Sequence, residues 1–219
     1  MTRPVKPRQY HSPLRADQAR LTSHSVVDAA TALFSELGYA AVSVDAIAAA
    51  AGVSRATVFT SVGGKPAILR LAFQAAFAQA AGDENIAMPF VARPRSVEVR
   101  SRASVRAYLS GYAGLVTEVF ARMAGVYDAI REGSRADPEV GELWTAITEE
   151  RRRGASTIVA DVKKRARLRR GLGEAAAADV VWVLNDPSVY RMLVQRRGWS
   201  AKQYSAWLRD ALEAALVAR

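Results

Sequence analysis

From Ser23 to Leu37 the apolar residues Val26, Val27, Ala30, Leu33, Phe34 and Leu37 recur at the i, i+3, i+4, i+7 spacing of an amphipathic helix. Gly38 stands where a helix ends on a left-handed residue. Ser43 is suited to cap a second, short run, Val44 to Ala51, which Gly52 closes. Ser54 can cap a third run to about Val62, and Gly63-Gly64 then breaks the chain. Pro66 falls in the first turn of a fourth helix reaching Ala81, where its missing N–H is harmless. Residues 82–97, with Pro89 and Pro94, read as a linker. Helical periodicity returns over 99–121, 123–135, 138–167, 174–184, 187–197 and 200–218, with breaks at Asp137-Pro138, Gly171, Asp186-Pro187 and Gly198. No sustained two-residue alternation and no fixed repeat interrupt this pattern, which predicts an all-α protein.

The segment "DAIAAAAGVSRATVFTSVGGK", residues 45–65, holds two short helices and a tight turn. Ala48 and Ala51 are small, as a close helix crossing requires. Gly52 fits a left-handed turn that costs a residue with a Cβ about 1–2 kcal/mol. Ile47, Val53 and Val58 are then expected to face the first helix. That arrangement is a helix-turn-helix, whose second helix is free to enter a major groove. Its outer face would carry Arg55, Ala56, Thr57, Phe59, Thr60 and Ser61, short or polar side chains that a groove admits.

Charge sharpens the picture. The chain of 219 residues is half hydrophobic and carries a formal net charge of +10, which favours a polyanionic partner. Residues 1–20 contain five arginines and lysines against Asp17, with three prolines, and read as a flexible basic arm. Such an arm can lie in a minor groove or along phosphates. The runs "RRR" at 151–153 and "KKRARLRR" at 163–170 read as a solvated helix face and a helix C-terminus. Net charge alone therefore does not locate a nucleic-acid site.

Catalysis finds little support. There is no cysteine, so disulfides, thiolate nucleophiles and zinc–cysteine sites are excluded. The two histidines, His11 and His24, lie near the N-terminus, with no metal-binding, nucleophile-elbow or dinucleotide-binding spacing. The chain reads as no enzyme, with no cofactor and no metal. No apolar run approaches the roughly 20 residues of a membrane span, and no signal-peptide core follows the N-terminus. A soluble, cytoplasmic protein is expected.

"AATALFSELGY" at 29–39 and "SVDAIAAAAGVSRATVFTSVGGKPAIL" at 43–69 resemble the tetracycline-repressor (TetR) family of transcriptional regulators. Gly52, Val53, Ser54, Thr57 and Lys65 match the family pattern. Phe59 replaces its usual tyrosine, losing a phenolic O–H to phosphate, and Val62 replaces its usual phenylalanine. Residues 178–212 resemble the C-terminal, dimer-forming segment of one branch of these regulators, which places Trp207 on an expected pairing helix.

The resemblance implies an N-terminal three-helix DNA-binding domain at 21–66 and a C-terminal helical ligand-binding and dimerisation domain at 67–219. It implies double-stranded DNA as partner, a small-molecule effector and a homodimer, with repression the expected activity. Ser43, Thr57 and Lys65 would touch phosphates. Ser43 and Ser54 stand at helix N-termini, which suit an anion. Arg55 is the candidate for base readout, since a guanidinium can pair bidentately with guanine. Thr60 and Ser61 are candidates for base edges or a thymine methyl, and Phe59 either stacks on a sugar or packs inward. The resemblance further implies that some of Tyr108, Tyr112, Phe120, Tyr127, Trp144 and Trp182 line a cavity, whose aromatic walls would suit an apolar ligand. Arg131 or Glu132 is a separate candidate to orient a polar end. The competing reading is a helical protein-interaction module without specific DNA binding.

Overall fold

The computed structural model describes residues 13–81 and 90–218. The described chain is helical: α1 Pro13–Ala41, α2 Val44–Ala51, α3 Arg55–Ser61, α4 Lys65–Ala81, α5 Pro94–Arg100, α6 Val105–Gly133, α7 Pro138–Lys163, α8 Glu174–Leu184, α9 Pro187–Tyr190 and α10 Ala201–Leu216. A 3₁₀ turn, Phe90–Ala92, precedes α5, and α9 runs on into a π-helical segment, Arg191–Arg196. The extended pairing among the described residues is a single antiparallel bridge, Leu168 with Val217. No helix among them is long and apolar enough to cross a membrane.

Two apolar clusters meet on α6. The first joins α1 to α4 through Val26, Phe34, Ile47, Val58 and Ile68, and it takes in Val126 and Ile130 of α6. Each such fully buried aliphatic stabilises the fold by about 1.5–3 kcal/mol. The second gathers the remaining length of α6 with α7, α8 and α10, around Tyr108, Tyr127, Val159, Tyr204 and Leu212. The crossing of α6 with α1 is close because α6 presents glycines. A Cβ on Gly125 would stand 2.8 Å from Ser35 Cα, and one on Gly133 would stand 2.7 Å from the Tyr39 ring.

Several boundaries differ from the periodicity. Residues 13–20, expected in a flexible arm, extend α1 back to Pro13, a residue tolerated at a helix start. Residues 1–12 of that arm lie outside the described residues. Gly38 does interrupt α1, with φ 79°. Leu37, expected on the buried face, is 51 % exposed. Pro94 does not prolong a linker but opens α5 as its first residue; residues 82–89 lie outside the described residues. The two helices expected at 99–121 and 123–135 are one, since no glycine or proline separates Ala121 from Met123. Helix α7 stops at Lys163, short of the expected 167. There the Arg165 side chain folds back to donate to the carbonyls of Asp161, Arg100 and Arg102, and its guanidinium covers the Tyr108 ring at 4.5 Å.

Candidate nucleic-acid interface and internal cavity

Helices α2 and α3 form the expected helix-turn-helix. The Ser43 hydroxyl accepts the Ala46 N–H at 3.1 Å and caps α2. Gly52 closes α2 in the left-handed region, φ 68°, with its N–H on the Ala48 and Ala49 carbonyls. Ser54 caps α3, its hydroxyl accepting the Thr57 N–H at 3.1 Å and sharing a 2.8 Å hydrogen bond with the Thr57 hydroxyl. Val58 is fully buried among α1 and α2, so it fixes which side of α3 faces inward. The opposite side is open: Ser54, Arg55, Ala56, Phe59 and Thr60 are exposed, and Thr57 and Ser61 half-buried.

Three details were hidden in the sequence. Arg55 forms an ion pair with Asp45 of α2, and its guanidinium carbon stands 5.4 Å from the centroid of the Phe59 ring. Phe59 is therefore an outward ring, 45 % exposed, rather than a core residue. The Thr60 hydroxyl donates to the Ala56 and Thr57 carbonyls, and that of Ser61 to Thr57 at 2.7 Å. Both hydroxyls keep only acceptor lone pairs for a base edge.

Lys65, at the start of α4, is half-buried with its Nζ 4.1 Å from the centroid of the Tyr39 ring. Burial draws its pKa down, opposed in part by the carboxylates of Glu132 and Asp137. Glu132 accepts the backbone N–H groups of Tyr39 and Ala40, each at 3.1 Å. Arg131 pairs with Asp128 at 3.1 Å. Neither Arg131 nor Glu132, one of which is expected to orient a ligand, lines the cavity between α4, α6 and α7; both border a separate pocket beside the end of α1. Glu132 instead ties α6 to the end of α1.

A cavity of ≈400 Å³ lies between α4, α6 and α7. Tyr112 and Phe120 line it; Tyr108, Tyr127, Trp144 and Trp182, expected beside them, are absent from its wall. Tyr108 is instead fully buried under Arg165. Phe73 and Phe77 of α4, with Phe90, Val119 and Met123, complete much of the apolar surface. Arg151, read from the sequence as part of a solvated run, turns inward and also lines the cavity. It donates to the Tyr127 hydroxyl and to the Trp182 and Asn185 carbonyls, each at 2.9 Å, and pairs with Asp186 at 2.8 Å. Among the described residues no group of acidic or histidine side chains is arranged to hold a metal ion.

Residues 26–71 match the profile of a family described as bacterial regulatory proteins, tetR family. No curated protein sequence matches the chain. Several solved structures share the fold. NalD, the secondary repressor of the MexAB-OprM multidrug efflux pump in Pseudomonas aeruginosa, superposes with a TM-score of 0.63 at 18 % identity, over 92 % of this chain and 98 % of that one. The transcriptional regulator FadR of Bacillus subtilis, solved with stearoyl-CoA, gives 0.63 at 17 % identity, over 88 % and 98 %. The TetR family regulator PfmR of Thermus thermophilus gives 0.61 at 18 % identity, over 89 % and 95 %.

Proposed function

Through residues 26–71 the chain belongs to the tetR family of bacterial regulatory proteins, and from that premise we propose that it is a ligand-responsive transcriptional regulator, a homodimeric repressor acting in the cytoplasm. One observation carries the reading: α3 is held from behind by Val58 while its outer face offers Arg55, Ala56, Phe59 and Thr60 to solvent. Residues 21–66 read DNA, and residues 67–219 bind the effector and the second subunit. Ser43, Ser54, Thr57 and Lys65 meet phosphates. Arg55, Thr60 and Ser61 meet base edges, and Phe59 meets a sugar or thymine methyl.

Helix α4 supports a link between the two activities. Its first residue, Lys65, packs on Tyr39 of the DNA-reading part, while Arg70, Phe73, Gln74 and Phe77 line the cavity. A ligand that fills the cavity acts on the helix that carries the reader. It shifts the equilibrium by its differential affinity for the two arrangements. Two readers on one dimer require half-sites about 34–36 Å apart, or a multiple, on a near-palindrome.

Footprinting across the DNA flanking the gene tests the proposal. The expected result is protection of one near-palindromic site at concentrations that leave random DNA bare. Equal affinity for all sequences would overturn it and favour a protein-interaction module.

A further inference from the structure

Arg151, Asn185 and Tyr112 form a polar patch in a mainly apolar cavity wall that also holds Arg70, Gln74 and Glu150. Arg151 donates to the Asn185 carbonyl at 2.9 Å, and its charge acts on the Tyr112 hydroxyl. The charged members are already answered. Arg151 is consumed by Asp186, Tyr127 and two backbone carbonyls. Glu150 pairs with Arg153 at 2.8 Å, and Arg70 is exposed.

Of the neutral polar residues in the wall, Gln74 is half-buried, and two further groups are not answered. Asn185 Oδ1 is buried without a hydrogen-bond donor. Buried unpartnered polar atoms occur elsewhere among the described residues, at Tyr108 and Tyr204 for example, but of those residues Asn185 alone lines the cavity. Tyr112 is 5 % exposed, lines the same cavity and has no hydrogen-bond partner among the described residues. Burial raises its pKa, so it remains an O–H donor. A buried acceptor left unmet is destabilising, and a ligand donor at that point would relieve it.

Resting on the proposal that this cavity is the effector site, we infer that the effector is an uncharged, mainly apolar molecule bearing a hydroxyl or primary amide, which accepts from the Tyr112 hydroxyl and donates to Asn185 Oδ1, an atom that rotation of the amide brings to the cavity surface. A carboxylate cannot donate to Asn185, and of the two arginines in the wall Arg151 is already paired with Asp186, which leaves Arg70 as its one available partner there. An ammonium group can donate, but it would stand beside Arg151 with the Asp186 carboxylate already paired. The apolar remainder of the ligand matches Phe73, Phe77, Val119, Phe120 and Met123. The cavity's ≈400 Å³ lies within the range of small-molecule sites.

Calorimetry on the full-length protein tests this with a matched panel. Naphthyl, biphenyl and decyl bodies each carry no head group, a hydroxyl, a primary amide, a carboxylate or an ammonium. The hydroxyl and amide members of at least one body should bind about tenfold tighter than their headless and charged counterparts. Tyr112→Phe and Asn185→Leu should each erase that advantage, measured against the headless member within the same variant. Tightest binding by carboxylates, abolished in Arg70→Ala, would overturn the ligand class and leave the cavity as the effector site. Hydroxyl preference with no release of the bound DNA in a gel shift would sustain the ligand class and overturn the effector role. No binding by any member would overturn both.

Discussion

The Tyr39 hydroxyl donates to the Asp137 carboxylate across 2.7 Å, joining the end of α1 to the start of α7. Asp137 serves a second purpose, since its other oxygen accepts the Glu139 N–H at 3.1 Å and caps α7. Lys65 packs on one face of the Tyr39 ring, and Gly133 of α6 admits it closely. One tyrosine thus touches α4, α6 and α7. Tyr39→Phe should lower unfolding stability by about 1 kcal/mol, the value of one hydrogen bond, with the ring packing intact. Chemical denaturation checks it, and a loss as large as that of Tyr39→Ala would mean that the hydroxyl, not the ring, makes the joint.

Glycines on α6 should divide sharply by what faces them. Alanine at 125 would meet Ser35 Cβ at 2.6 Å, whereas alanine at 114 meets nothing within 4 Å. Gly125→Ala is expected to cost about 1–3 kcal/mol, and Gly114→Ala to be neutral or stabilising by up to roughly 1 kcal/mol. Paired melting curves decide it, and equal effects would refute the close crossing.

Asp45 holds the Arg55 guanidinium over Phe59. Arg55→Ala should weaken the specific site by about 1–3 kcal/mol and random DNA much less. Asp45→Ala should do the reverse of a simple loss: random DNA binds more tightly, because a negative charge is gone, and the ratio of specific to random affinity falls. Fluorescence anisotropy on both DNAs reads this out. An unchanged ratio would show that Asp45 does not position the arginine.

Asp161 is buried on α7 and accepts from Arg100 at 2.5 Å and from Lys164 at 3.0 Å. Burial alone would raise its pKa, but these cations outweigh it and hold the carboxyl below its ordinary range. A group depressed on folding contributes stability above its unfolded pKa, roughly 3.9 for aspartate. That contribution is lost as pH falls through the folded value. Wild type should therefore lose stability from about pH 4 downward. Asp161→Asn should be less stable at neutral pH and flatter in acid, as acid-titration melts would reveal.

The pairing surface should involve Val183 of α8 and Met192 beyond α9, which are 56 % and 49 % exposed. Val183→Asp with Met192→Asp should sediment as a folded monomer. Trp207, expected from the sequence on the pairing helix, is half-buried and packs within the chain against Tyr204 and Trp199 at centroid distances of 5.7 and 6.4 Å. Trp207→Asp should consequently reduce stability. A fully stable monomer from that change would place the interface back on α10.

The helix-turn-helix was legible because its signals are local. Ser43, Gly52 and Ser54 act on groups within four residues, and residue type nearly dictates the turn. The same holds for Ser200, which caps α10 reciprocally with Gln203. Arg151 and Arg165 were misread because neighbouring arginines conceal helix phase, and their partners lie tens of residues away. Glu132 was unreadable for the same reason, since the amides it meets are more than ninety residues distant. The cavity wall was legible only at Tyr112 and Phe120. Helical spacing shows which aromatics are inside, and not which of them border space.

The contact of Gly125 with Ser35 makes α6 a lever with a fulcrum. Tyr112 and Phe120, in the cavity, lie on one arm, and Gly133, beneath Tyr39, on the other. A tilt about that point carries the two arms in opposite senses, so a ligand pressing the helix outward at the cavity would drive its far end inward against Tyr39.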